Sequence, residues 1–351
     1  MTPHRLGHLH GLLLTLPLLL CSCSSGPEDG LTLGTYVQNA QIYFRGGDDA
    51  RALDQIERGL ELRPEHYELG LLKGQIFVRQ ARQNSAVYDR ALEQMRKVYG
   101  LRSLSDHDYR CLLFLGQAHL GLAIRNRRNS SKAREAAGAS NIEPSERTHL
   151  LGMAAEHERL YKRHIADAER QFEAMLKKGD GVNPALRFLF IVSTYKSEGL
   201  EAAAQLRQKQ KAIEVGEKYI ADARSRLAHY SDLRARTLNL QEEAEADKRR
   251  SFYKNQVIDC LGQLAHLHYG LGQYQKALTL NDELVKLQPN FAAHYYNRGK
   301  CSYRLENWGL AIRDFQDFLR MTGEEQGKRR EEVEKLLDKA LAARRAQQRR
   351  R

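Results

Sequence analysis

The chain repeats itself with a period of 34 residues. Corresponding positions carry apolar or very small residues in each copy. The pairs are Leu261 and Tyr295, Ala265 and Gly299, Ala277 and Ala311, and, at the other end of the chain, Ala40 and Gly74, and Ala52 and Ala86. A unit of this length cannot bury its apolar face alone, so neighbouring copies must stack to form a continuous core. The period therefore predicts an extended array of one repeated unit.

Both halves of each unit show the residue spacing of an α-helix. The small residues let two helices approach closely, and large ones such as Tyr36 and Phe318 fill the remaining space at helical spacing. Pro64, Pro184 and Pro289 each follow a helical pattern, where a helix is expected to end. The sequence therefore predicts an all-α fold without a sheet.

The repeated positions resemble the tetratricopeptide repeat (TPR), a helix–turn–helix unit of 34 residues. Residues 292–325 match the family pattern best, and residues 258–291 and 33–66 carry two further copies. The matching positions in the best copy are Tyr295, Gly299, Trp308, Ala311, Phe315 and Phe318. The resemblance implies a TPR-like solenoid, a right-handed superhelix with a concave groove, in which Trp308 and Phe315 are largely buried.

The quality of the repeat divides the chain into segments. Residues 185–255 are helical in composition but fall out of the repeat register, so we expect irregular, longer helices in the middle of the chain. The complete division is residues 33–125 as N-terminal TPR-like repeats, 126–147 as a polar loop or, alternatively, a frayed helix, 148–257 as degenerate TPR-like repeats or long helices, 258–325 as two regular TPRs, and 326–351 as a capping helix with a basic tail.

The first residues have the organisation of a bacterial export signal. Arg5 precedes residues 11–20, which hold seven leucines but are too few to span ~30 Å of hydrocarbon as a helix. An aliphatic residue at −3 and a small residue at −1 precede Cys23, which resembles the lipobox of bacterial lipoproteins. We therefore predict residues 1–22 as a lipoprotein signal peptide, Cys23 as the lipidation site and residues 23–32 as a lipidated tether.

The residue that follows Cys23 is serine rather than aspartate. By resemblance to Gram-negative sorting, this favours the outer membrane, with the protein facing the periplasm. The alternative is an ordinary secretory signal peptide whose cysteines are incidental. Cys111, Cys260 and Cys301 are predicted to be buried thiols, and a disulfide between the last two is the alternative.

No motif of a catalytic, cofactor or metal site stands out in the sequence. Residues 299–301 lack the glycine and the hydroxyl residue of a phosphate-binding loop, and His157-Glu158 lacks the second histidine of a zinc protease. His157 and His164 share a helix face but make at most a partial site. We therefore predict no catalytic residue, no cofactor, no metal and no enzymatic activity.

The TPR resemblance implies that certain positions of each first helix face the groove and bind a protein or peptide partner. Their aromatic, cationic and amide side chains suit a peptide backbone or a carboxylate, and apolar packing does not require them. The implied groove residues are Gln41, Phe44, Arg45, Gln75, Arg79, His266, Tyr269, Tyr296, Asn297, Lys300, Tyr303 and Arg304. The leading hypothesis is a membrane-anchored scaffold that catalyses nothing, with its oligomeric state left open.

The positive charge of the chain keeps two other functions open. The formal net charge is +12, and residues 328–351 carry ten basic and four acidic side chains, a net of +6. Nucleic acid is not an expected partner of an exported lipoprotein, whereas an anionic polymer could bind this tail. The second alternative is an enzyme with its site in residues 120–255, which would require a buried cluster of converging titratable groups.

Overall fold

The structure, a computed structural model, describes residues 32–101, 108–179, 181–197, 202–237, 239–322 and 327–349. These ranges hold thirteen helices and no strand, so the predicted all-α class is confirmed. The helices are α1 (Leu33–Arg45), α2 (Asp49–Leu62), α3 (Tyr67–Ala81), α4 (Val87–Gly100), α5 (Tyr109–Ala137), α6 (Pro144–Lys178), α7 (Val182–Ser197), α8 (Ala202–Arg236), α9 (Leu240–Gly270), α10 (Tyr274–Leu287), α11 (Ala292–Arg304), α12 (Trp308–Thr322) and α13 (Lys328–Arg349).

The predicted signal peptide, Cys23 and the tether as far as residue 31 lie outside the described residues. Within the described ranges, no helix combines the length and the apolar character needed to cross a bilayer.

Each helix packs mainly against the helix before it and the helix after it. The buried side chains accordingly form a series of clusters along the array instead of one central core. This is the solenoid architecture that the repeat predicts, because each unit completes its core with its neighbours.

Three short turns join the two helices of a repeat, and each contains one residue with left-handed backbone. Gly47 lies between α1 and α2 with φ +83°, and Gly272 lies between α9 and α10 with φ +73°. Glu306 has the same role between α11 and α12, with φ 56°. Glycine adopts this conformation without a steric penalty, so the first two turns are readable from the sequence and the third is not.

The small residues of the repeat lie where two helices touch. A Cβ atom on Gly299 of α11 would lie 2.7 Å from the ring of Phe315 on α12, so only glycine fits there. Ala40, Ala52 and Ala277 are fully buried, as predicted.

One position of the repeat pattern lies out of register, and one side chain is less buried than predicted. Ala86 is exposed and precedes α4, because a few extra residues shift the register and the buried alanine there is Ala91. Trp308 is half-buried, because it starts α12 and packs edge-on against Tyr303 instead of entering the core. Phe315 is fully buried, as expected.

The middle of the chain consists of long helices, as predicted. Helices α6 and α8 have 35 residues each, which corresponds to roughly 50 Å at 1.5 Å per residue. The first part of the segment predicted as degenerate repeats or long helices is therefore the single helix α6.

The loop predicted over residues 126–147 is confined to residues 138–143, because α5 continues to Ala137 and α6 begins at Pro144. The small and polar side chains of this segment are packed against α6. Ser130 Oγ donates to the carbonyl oxygen of Ala154 at 2.9 Å, and Asn126 contacts His157 at 2.9 Å. These residues serve helix–helix contact, so their composition resembles that of a loop although their conformation is helical.

The C-terminal end and the buried cysteines follow the prediction. Helix α13 closes the array with Val333 and Ala340 buried. Cys111, Cys260 and Cys301 are buried, and the last two are thiols that do not form a disulfide. Cys260 donates to the carbonyl oxygen of Gly216 at 3.4 Å.

Candidate binding surfaces

Four of the predicted groove residues meet at one cavity near the C-terminal end. His266 and Tyr269 come from α9, and Asn297 and Lys300 come from α11. The cavity measures about 130 Å³, and Ala265, Asn281 and Cys301 are among the residues that complete its wall. We call His266, Tyr269, Asn297 and Lys300 the C-terminal surface. It forms because α9 and α11 are the first helices of adjacent repeats and present equivalent faces to the same side.

Lys300 is the cationic centre of this surface. Its ammonium group lies 5.6 Å from the ring centre of Tyr269 and donates to Tyr296 Oη at 3.1 Å. It also lies 3.3 Å from a carboxylate oxygen of Glu332, which α13 contributes. Burial by itself lowers the pKa of Lys300, but the contacts with Tyr296 and Glu332 outweigh it and raise the pKa above its ordinary value. The two contacts therefore favour the charged form of Lys300.

Tyr296 is not a groove residue, contrary to the prediction. Its side chain is only 8% exposed, and its ring packs at 5.7 Å from that of Phe318 in the cluster that includes Val333. Its hydroxyl donates to Glu332 at 2.9 Å. The prediction was wrong because the terminal helix α13 covers this position of α11.

Tyr303 and Arg304 lie beside the C-terminal cavity without lining it. Tyr303 packs edge-on against Trp308, with ring centres 5.3 Å apart. Arg304 is exposed, and its Nε donates to Tyr269 Oη at 3.4 Å. Arg304 thus supports an aromatic wall of the surface.

A second cavity lies at the N-terminal end and contains four more predicted residues. Gln41, Phe44 and Arg45 of α1 and Gln75 of α3 line a space of about 190 Å³. We call these four residues the N-terminal surface. Arg110 of α5 and Glu68 of α3 also line this cavity, and the sequence analysis did not single them out.

Arg110 and Glu68 form an ion pair at the edge of the N-terminal cavity, with a nitrogen–oxygen distance of 3.0 Å. Asp108 accepts a second bond from Arg110 at 2.6 Å. Arg110 and Glu68 are 42 residues apart in the chain, so no local spacing indicates this ion pair.

Arg79, also predicted for the groove, is engaged by its own fold. Its guanidinium carbon lies 4.3 Å from the ring centre of Phe44, and its Nε donates to Asp49 at 3.2 Å. Arg79 therefore joins α3 to the first repeat and does not line the N-terminal cavity.

A third group of polar side chains lies between the long helices α5 and α6. His119 of α5 faces His164 and Asp167 of α6, and we call these three residues the histidine cluster. The two Nδ1 atoms are 3.0 Å apart, and His119 Nδ1 lies 3.7 Å from Asp167 Oδ2. Burial lowers the pKa of His119 to about 4, against the opposing effect of Asp167. Burial also lowers the pKa of His164.

The sequence did not indicate the histidine cluster, and the histidine predicted to share a helix face with His164 was His157 instead. His157 contacts Asn126 and takes no part in the cluster. His119 and His164 are 45 residues apart on different helices. The only available signal was the i, i+3 spacing of His164 and Asp167, which places both side chains on one face of α6.

Comparison with known proteins bears on the C-terminal region. Residues 263–324 match the family model described as tetratricopeptide repeat. No curated protein sequence matches the chain.

Several solved structures are similar to this one. A tetratricopeptide repeat protein from Parabacteroides merdae ATCC 43184 shares 14% identity over 88% of this chain and 98% of its own, with a TM-score of 0.34. The TPR2AB domain of yeast Sti1, solved in complex with pHSP90, shares 11% identity over 88% of this chain and 98% of its own, with a TM-score of 0.30. The residues that match the family model run from the end of α9 through α12, so this region is similar to the tetratricopeptide repeat.

Proposed function

We propose that this protein is a non-catalytic scaffold of the bacterial cell envelope, anchored by lipid on Cys23, that binds a protein or peptide partner. The C-terminal surface is the observation that supports this proposal. It lies within the segment that matches the tetratricopeptide-repeat family, whose members are protein-interaction modules. The lipobox-like residues before Cys23 support the anchor, and the serine that follows Cys23 supports the outer-membrane location facing the periplasm.

The chemistry of the C-terminal surface indicates what it can bind. Lys300 supplies a fixed cation, Asn297 an amide, and His266 an exposed imidazole. Tyr269 offers an aromatic face. A peptide segment with a carboxylate fits this set, because the cation and the amide can bind its oxygens while the ring contacts its apolar part.

A photocrosslinking residue at Asn297 tests the proposed surface in cells. Asn297 is exposed and lines the cavity, so a bound partner should be crosslinked there. The same residue placed at Arg313, exposed on α12 and outside the cavity, is the positional control. Identical crosslinked products at both positions, or none at Asn297, would contradict the proposal.

A charge-removing variant then tests the role of Lys300. Lys300→Gln, made in the chain with the crosslinker at Asn297, should reduce the crosslinked product about tenfold, the effect of losing about 1.4 kcal/mol of binding. Lys286→Gln removes an exposed lysine of α10 and should leave the yield unchanged. Equal yields for the two variants would exclude Lys300 from the binding surface.

A further inference from the structure

The histidine cluster contains the donor set of a transition-metal site. His119, His164 and Asp167 each offer one ligand atom, and the three atoms lie within 4.8 Å of one another. Among the described residues, no other group of three His, Cys, Asp or Glu side chains comes this close together. Two imidazoles and one carboxylate are donors that zinc accepts in proteins.

The distances within the cluster agree with a single shared ion. Ligands bound to zinc at ~2.0–2.1 Å in tetrahedral geometry are about 3.3 Å apart. The observed separations, 3.0 Å between the two Nδ1 atoms and 3.7 Å between His119 Nδ1 and Asp167 Oδ2, lie on either side of that value. These two pairs therefore need only small side-chain shifts, and the third pair, which lies within 4.8 Å, must also come to about that distance for the three atoms to surround one ion.

The approach of two Nδ1 atoms to 3.0 Å itself requires something between them. If both nitrogens present lone pairs, they repel each other at this distance. Either one proton, in a hydrogen bond, or one metal ion resolves the repulsion. A carboxylate oxygen beside the pair favours the divalent cation, which gains from a third, negatively charged ligand.

The surroundings hold the three ligands and leave room for a fourth. Arg170 forms an ion pair with Oδ1 of Asp167, so that Oδ2 remains directed toward His119. Such an outer contact on a ligating carboxylate is a usual feature of metal sites. His119 is 4% exposed, whereas His164 is only half-buried, so water can reach the open side.

We propose that His119, His164 and Asp167 bind one Zn²⁺ ion, with water as the fourth ligand, and that this ion joins α5 to α6. The proposal does not depend on the partner-binding function, since neither binding surface includes these residues. The ion would connect the two long helices near the middle of their contact and stabilise that part of the array.

Titration of the metal-free protein with zinc tests the proposal. The full chain, freed of metal with EDTA and dialysed, is titrated with ZnCl₂ in a calorimeter. We expect one Zn²⁺ per chain and a higher melting temperature once zinc is bound. His164→Gln and Asp167→Asn should each weaken binding by at least about 10–100-fold, the loss seen even when outer contacts of a metal site are removed.

His157→Gln is the matched control. His157 lies on the same helix as His164, seven positions earlier, but contacts Asn126 outside the cluster. The affinity of the His157→Gln variant for zinc should equal that of the unaltered chain. Absence of zinc binding to the unaltered chain, or equal binding by His157→Gln and His164→Gln, would overturn the proposal.

X-ray absorption at the zinc edge identifies the ligands in the unaltered chain, so this measurement does not depend on the folding of any variant. The unaltered chain should show only nitrogen and oxygen ligands, with the outer-shell signature of two imidazoles. Sulfur in the first shell would assign the ion to cysteine instead and would also overturn the proposal.

Discussion

At the scale of single residues, long-range neighbours set the properties of the polar side chains. Lys300 is held by Tyr296 and by Glu332 of the terminal helix, 32 residues further along the chain. Arg79 is bound to Asp49 of another repeat. Residue type alone therefore indicates what such a side chain can bind, while its partners determine whether it is available.

The pH dependence of stability should reflect His119. Its pKa in the folded protein is about 4, below its ordinary 6.5, because burial excludes the charged ring. As the pH falls, His119 is therefore protonated in the unfolded chain before it is protonated in the folded protein. The contribution of neutral His119 to the stability of the folded protein is complete above pH 6.5 and is lost as the pH falls toward 4. His164, Asp167, Arg96 and Arg170 are the charged or titratable groups that act on it.

Thermal unfolding in EDTA measures this effect without interference from metal. We expect the melting temperature to fall between pH 7 and pH 5. The free energy of unfolding should decrease by at most ~3 kcal/mol when the pH approaches 4. His119→Gln should show a flatter dependence over this range. A variant with the same slope as the unaltered protein would show that His119 is not the responsible group.

At the scale of helices, close approach depends on pairing a small residue with a large one. Gly116 of α5 faces Phe172 of α6, and an added Cβ atom would lie 2.6 Å from that ring. Gly299 and Phe315 repeat the arrangement between α11 and α12. The same packing device thus serves both the regular repeats and the long middle helices.

Phe315→Ala should destabilise the C-terminal repeats by ~3–5 kcal/mol, because it leaves a cavity at a fully buried site. Chemical denaturation followed by circular dichroism measures the change. Phe291→Ala makes the same substitution on a ring that is 53% exposed and should cost about 0.5 kcal/mol or less. Equal effects of the two substitutions would contradict the packing described for α11 and α12.

At the scale of the whole molecule, each helix of the array packs against its neighbours along the chain, and α13 packs against the last repeat. No single core unites it, so each end can carry its own surface. The N-terminal and C-terminal surfaces are built from first helices of different repeats and do not share a residue. Under the proposed scaffold function, the two surfaces would hold two segments of a partner.

The proposed anchor is tested at the N-terminus of the protein isolated from its native membrane. We expect mass spectrometry to find lipid on Cys23 and no residues 1–22, because Ser22 and Leu20 suit lipobox cleavage. Cys23→Ser should release the protein from the membrane. Cys21→Ser is the control and should have no effect, since bulky Leu20 precedes Cys21. An unlipidated chain with a different first residue would exclude the anchor.

The sequence by itself determined the repeated unit and the helix positions that line the two cavities. The period of 34 residues encodes contacts between neighbouring helices, which recur at fixed spacing and can therefore be read without a structure. For the same reason, eight of the twelve predicted groove residues line the two cavities.

Only the tertiary structure decided which residues depart from the repeat pattern. Residues 126–137 form a helix because α6 packs against their polar and small side chains, and Tyr296 is buried because α13 covers it. The histidine cluster exists because α5 and α6 align His119 with His164 along their contact. These features depend on pairs of residues distant in the chain, and a local period carries no information about such pairs.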